Sequence, residues 1–154
     1  MSKVFGYPEF NENGEQILTT YDNDYKAMLM DIRVYRMKAG EEKIFQKDGE
    51  ETAVLLLSGS IEFEFDGQKE KADRKDVFTE GPWCVHVCTG SKVSVKALVN
   101  SEILVQSTKN NTKFASKLYK PEDAPWGYSC VGKFGNVAKR RVNTIFDHDI
   151  APYS

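Results

Sequence analysis

Apolar and polar positions alternate with a period of two through the middle of this chain, the repeat of a strand with one face buried. Ile61, Phe63 and Phe65 alternate with Glu62, Glu64 and Asp66, and Val93, Val95, Ala97 and Val99 alternate with Ser94, Lys96 and Leu98. The run Ala53-Val54-Leu55-Leu56-Leu57 is apolar throughout, as expected of a strand covered on both faces or lining a tight barrel. Turn chemistry separates these runs at Ser58-Gly59-Ser60, Asp66-Gly67, Gly81-Pro82 and Thr89-Gly90, Asp-Gly being a strong hairpin signal. The pattern predicts strands over residues 28–37, 53–57, 61–66, 83–88, 93–99 and 103–105, a restart at Val77-Phe78, and a solvated strand or loop from Lys69 to Asp76. No stretch has helical periodicity beyond about two turns. The fold class expected is all-β, a sandwich or barrel with little helix.

Past Val105 the chain turns polar, then irregular around Pro121 and Pro125, and a short strand is expected near Ile145. Residues Phe146–Ser154 carry no terminating element in the pattern. The expected organisation is an N-terminal arm over 1–24, a barrel over 25–131, and a closing strand with the start of a linker over 132–154. At 154 residues one domain is large enough to bury a core without staples. The formal charge of -2 supplies no basic field, which argues against nucleic acid and anionic membrane as partners. Met1–Gln16 lacks a secretory apolar region and no apolar run reaches a membrane span. Three cysteines, an odd number, fit a reducing compartment, so the expected location is cytoplasmic.

Chemistry-bearing residues are few. Cys84, His86 and Cys88 share one face of a predicted strand, but strand rise sets the outer two roughly 13 Å apart, too far for one ion. The cysteines are read as small hydrophobes, His86 as a satisfied or surface histidine, and His148 as part of a solvated tail. Gly132-x-x-Gly135 lacks the residues that make a phosphate loop. Lys139-Arg140-Arg141 is expected to be solvated or paired within the chain. Leu98 and Ile103 could line a dimer contact. Arg33 and Arg36 fall on opposite faces of their strand, so one can point inward, where it must be salt-bridged or bind an anion. No triad or carboxylate pair with hydrolytic spacing is present, and no catalytic residue is assigned.

A spacing frame links several of these segments. Gly40, Gln46, Asp48, Thr52 and Gly59, followed by Gly81-Pro82, Cys88-Thr89-Gly90 and Val93, resemble the two motifs of a cupin, a double-stranded β-helix or jelly-roll barrel. The cupin frame carries His-x-His, Glu and His where this chain has Gln46, Asp48, Thr52 and Val93. Gln46 and Asp48 keep the two-residue spacing that puts both on one face of a strand, with weak oxygen donors. No metal ligand is therefore assigned, and no cofactor is expected in this chain. Arg33, Arg36, Gln46 and Asp48 are the candidates for binding a small anion or sugar acid.

The segments Ile32–Glu41 and Glu51–Gly59, the strand from Cys84 to Cys88, and the glycine, arginine and valine stretch Gly132–Ile145 together resemble the first barrel of the 5-deoxy-glucuronate isomerase family of inositol catabolism. The resemblance implies a bicupin, a carbohydrate-metabolism isomerase acting on a small sugar-acid substrate, with a divalent metal, zinc, held by a second barrel beyond this chain. It implies a second cupin domain or a homo-oligomer as partner. Two functions stand open: the amino-terminal half of an aldose-to-ketose isomerase, serving as a structural or substrate-shielding barrel, and a stand-alone metal-free cupin that binds a small sugar acid or other anion.

Overall fold

The computed structural model describes residues 8–23 and 25–154; residues 1–7 and Asp24 of the expected arm lie outside them. Among the described residues eleven strands follow in chain order: β1 (Glu15–Thr19), β2 (Met30–Met37), β3 (Glu42–Phe45), β4 (Glu50–Phe65), β5 (Gln68–Arg74), β6 (Trp83–Val87), β7 (Val93–Ala97), β8 (Ser101–Lys109), β9 (Lys117–Tyr119), β10 (Trp126–Ser129) and β11 (Arg140–Asn143). Helix among the described residues is confined to single 3-10 turns at Lys26–Met28, Pro121–Asp123 and Phe134–Asn136. One sheet runs β1-β2-β8-β4-β6-β9, while β3, β7, the second half of β4 and β5 form the facing layer. Every pairing is antiparallel.

β4 belongs to both layers. Residues up to Ser58 pair with β8 and β6, and those from Gly59 onward pair with β5 and β7. The register against β8 slips between Leu56 and Ser58, and Gly59 at φ 108 makes the bend in a region closed to most side chains. Val54 and Leu56 from the first half, and Ile61 and Phe63 from the second, reach the core fully buried against Val85, Val93, Val95 and Ile103. Full burial of such side chains contributes about 1.5–3 kcal/mol each. The Asp66-Gly67 turn closes the β4–β5 hairpin with both residues at positive φ, the twist-matched form that Asp-Gly favours.

The unbroken apolar run has a structural reason. Val54 and Leu56 face the barrel core, while Ala53 and Leu55 face outward and are covered by Cys84, Tyr119, Ile145 and Phe146. Other expectations are corrected. Val77-Phe78 is a turn, with Asp76 accepting from the Phe78 and Thr79 amides. Of the strand or loop expected from Lys69, the strand is found, as β5 (Gln68–Arg74), with Ala72 and Arg74 buried rather than solvated. The arm carries β1, paired with β2. The last strand does not close the barrel but pairs with β10 in a separate two-stranded ribbon. The final residues pack back on the barrel, with Ala151 fully buried. Ile103 is buried and cannot line an exposed contact, whereas Leu98 is exposed.

Candidate functional site

Alternation along β2 turns Asp31, Arg33, Tyr35 and Met37 toward the interior. Met37 reaches the core, and the first three line a cavity of about 210 Å³ at the barrel mouth with Phe45, Lys47, Val105 and Ser107. Arg33 grips Asp31 with two bonds, Nε to Oδ1 at 2.7 Å and Nη2 to Oδ2 at 3.0 Å, and donates through Nη1 to Glu15 Oε1 at 2.8 Å. Tyr35 donates to the same Glu15 oxygen at 3.0 Å. Lys47 Nζ bridges Asp31 Oδ2 at 3.2 Å and Glu50 Oε2 at 3.3 Å. Three carboxylates thus surround two cations, so the mouth is net negative by one charge.

The electrostatics follow from these contacts. The Arg33 hydrogen bond holds the Glu15 carboxyl below its usual range despite partial burial. Burial pushes Asp31 up, but the Arg33 hydrogen bond and the Lys47 charge outweigh it and the carboxyl is held down. Burial, reinforced by Glu15, raises the Tyr35 phenol to about 12, and burial with Glu50 does the same for Tyr21. The lowered Glu15 and Asp31 carboxyls stay ionised and the raised Tyr35 and Tyr21 phenols stay protonated near neutral pH.

The four cupin positions do not fit a first-row divalent metal. Gln46 is exposed and its amide donates to the Gly90 carbonyl at 2.9 Å. Asp48 is exposed. Thr52 and Ser107 share a buried hydroxyl–hydroxyl bond at 3.0 Å, and Val93 is apolar and fully buried. An amide, a solvated carboxylate and a committed hydroxyl lack the imidazole or thiolate donors such sites use.

Arg33 and Arg36 are not brought together. Arg36 faces outward, donates to Glu102 Oε2 at 3.0 Å and lies over the Phe10 ring at 3.8 Å. The inward arginine is the salt-bridged one of the two alternatives. Asp31, Lys47, Glu50 and Glu15 escaped sequence reasoning. The Asp31-x-Arg33 spacing was a usable signal, since strand neighbours two apart share a face; nothing local pointed to Glu15.

A second polar cluster lies outside the barrel, beneath the C-terminal segment. His86, 1% exposed, stacks on Phe146 at 4.4 Å and 4°, meets Phe114 at 4.7 Å, and has Nε2 3.7 Å from Glu51 Oε2. Neither ring nitrogen is hydrogen-bonded. Glu51 instead accepts from Asn110 at 2.8 Å and Ser154 at 2.9 Å. Cys84 is buried, its thiol pushed up to about 12, and Cys88 Sγ lies 3.3 Å from the Ser91 hydroxyl. Among the described residues, no three His, Cys, Asp or Glu side chains are placed to share an ion. His148 is exposed.

Burial lowers the His86 pKa more than Glu51 raises it, so the folded chain binds fewer protons there than the unfolded chain. The resulting stability is full above about pH 6.5 and falls as pH drops through the lowered folded value. His86→Phe is expected to flatten the fall in melting temperature between about pH 7.5 and about pH 5.5. An equal slope in both proteins would refute this assignment.

Comparison with known proteins agrees with this architecture. The profile of the KduI/IolB family matches residues 6–154. No curated protein matches the chain. Among solved structures, an IolB-like protein from Salmonella typhimurium superposes with a TM-score of 0.75 at 19% identity, covering 90% of this chain and 52% of that one. The chain therefore spans about half that protein's length. YlbA from E. coli gives a TM-score of 0.58 at 14% identity, covering 82% of this chain and 53% of that one. A cupin 2 domain-containing protein from Halorhodospira halophila gives 0.50 at 14%, over 70% and 69%. The fold is a cupin barrel, and with a family profile spanning nearly all of its residues the chain belongs to the KduI/IolB family.

Proposed function

We propose that this chain is the amino-terminal half of a sugar-acid aldose-to-ketose isomerase of inositol catabolism, acting in the cytoplasm as a structural or substrate-shielding barrel without a metal site of its own. Its main support is the closed circuit at the barrel mouth, where Arg33 is committed to Asp31 and Glu15 and the mouth is net negative. A sugar-acid carboxylate entering there would displace an intrachain partner and meet like charge. The cavity of about 210 Å³ is also smaller than the roughly 300–1,000 Å³ usual for ligand pockets.

Aldose-to-ketose isomerisation moves a proton between neighbouring carbons through an enediol, which needs a positioned base and an electrophile at the oxygens. Neither role falls to a group at this mouth. The divalent metal expected of the family, zinc, belongs on this reading to a second barrel. The purified chain is expected to give no turnover of 5-deoxy-glucuronate with or without added zinc or manganese. It is also expected to give no thermal shift with a panel of uronates. Metal-dependent turnover by the chain alone would overturn the proposal, and a uronate-dependent rise in melting temperature would move the reading to a stand-alone anion-binding cupin.

A further inference from the structure

We infer that the cavity beneath the C-terminal segment binds a small ammonium-type cation between Glu51 and His86. Strand alternation builds its walls. On the neighbouring strands β8, β4 and β6, Thr108 stands opposite Glu51, and Ala53 stands opposite both Gln106 and His86, so these five residues share the outer face of the sheet. The short Ala53 side chain lies between two long ones, and the hollow over it has a volume of about 90 Å³, roofed by Phe146 and Ser154. Phe146 lies flat on one face of the His86 ring and Phe114 tilts against the ring. The ring edge, carrying two buried nitrogens without hydrogen bonds, is what His86 presents to the cavity it lines.

The chemistry of the walls identifies the occupant. Glu51 is 6% exposed, and among the described residues no lysine or arginine pairs with it. Its hydrogen bonds come from the neutral Asn110 amide and Ser154 hydroxyl, and His86 Nε2 at 3.7 Å is beyond hydrogen-bond length. A carboxylate so deeply buried is ordinarily paired with a cation. Burial favours the neutral imidazole, which leaves one ring nitrogen as an acceptor. The Thr108 hydroxyl donates to the Leu29 carbonyl at 3.0 Å, so its oxygen also faces the site as an acceptor. Other small occupants fit less well. A transition metal takes three or four protein ligands, and among the described residues no third His, Cys, Asp or Glu joins this pair. Water leaves the Glu51 charge uncompensated. Ammonium supplies positive charge and N–H donors together, and its size suits the space, since benzene needs about 150 Å³. Because Phe146 and Ser154 form the roof, the bound cation also ties the C-terminal segment to the barrel. This inference does not depend on the proposed isomerase role.

Melting temperatures of the purified chain in equal concentrations of ammonium, methylammonium and potassium chloride test it. Potassium matches ammonium in charge and closely in size but has no proton to donate, so it controls for ionic strength. With a dissociation constant of about 20 mM, ammonium at about 100 mM raises the melting temperature by about 2–4 °C over potassium. The larger rise of the two amines tells a free ammonium ion from a carbon-bearing amine. Glu51→Gln, which removes the charge, and His86→Phe, which keeps the stacked ring and removes the nitrogens, are each expected to bring the rise down to the potassium level. Should either variant misfold, the native chain gives an independent reading: bound 15N-ammonium is expected to show a proton resonance protected from exchange with water. No rise with either amine, an equal rise with potassium, a rise that persists in both variants, or no protected resonance would overturn the inference.

Discussion

Gly59→Ala is expected to lose about 3–5 kcal/mol of folding stability. Two costs add. An alanine Cβ would stand 2.2 Å from Ser101 Oγ and 2.7 Å from Ser101 Cα, so β8 itself would have to shift. Ser101 cannot yield freely, since its hydroxyl accepts from the Ser60 amide and has its single proton within reach of the Val99 carbonyl at 2.9 Å and the Ser60 carbonyl at 3.1 Å. The backbone at φ 108 adds its own penalty for any residue with a Cβ. Gly40→Ala is the control: φ is 85, but nothing lies within 4 Å of the new methyl, so only the backbone cost of about 1 kcal/mol applies. Urea unfolding followed by tryptophan fluorescence measures both. Equal losses for the two variants would show that the approach of β4 to β8 is not what requires glycine.

Arg33→Met is expected to cost about 2–4 kcal/mol near pH 7, because it strands Asp31 and Glu15 in a partly buried site. Asp31 is left with Lys47 alone, and Glu15 with neutral donors. The loss should depend on pH with a definite sign. In the native chain both carboxyls are held below their usual values, so their contribution is present above about pH 4.3 and disappears as pH falls through the lowered folded values. Without Arg33 the folded values rise and protonation relieves the stranded charges. The gap between native and variant melting temperatures should therefore narrow on acidification from about pH 7 to about pH 3. A constant gap would mean that Arg33 contributes through packing of its stem rather than its charge.

The barrel was legible because its signals are local. Period-two alternation located β7 and the second half of β4, and the apolar run located its first half, but the turn expected at Ser58-Gly59-Ser60 is continuous strand; Asp66-Gly67 announced a hairpin that forms with both residues at positive φ. Short strands were less visible. Glu42–Phe45 and Lys117–Tyr119 take their strand character from neighbours, β3 from β7 and β9 from β6, and carry little alternation of their own. Val77-Phe78 looked like a strand because both residues are strong β formers, but the Asp76 carboxylate captures the following amides in a turn. At the mouth, the inward direction of one arginine could be read, whereas its partner Glu15 arrives from β1, whose pairing has no local mark. His86 was read as a satisfied or surface histidine and is neither: it is buried, its nitrogens have no hydrogen-bond partner, and its cover of Phe114, Phe146 and Tyr153 comes from segments without regular periodicity.

The two-layer role of β4 also bears on how the chain is made. During synthesis the second half of β4 finds β5 at once, because Phe65 and Gln68 are joined by the tight turn. The first half must wait for β6 and then for β8, whose Lys109 pairs with Glu50. Until then Ala53–Leu57 is an apolar strand with both hydrogen-bonding edges open, the form most prone to pair with another nascent chain. Closing so long a loop also makes this step a slow one. The segment that unites the layers in the finished barrel is thus the one most exposed to misassembly while the chain is still growing.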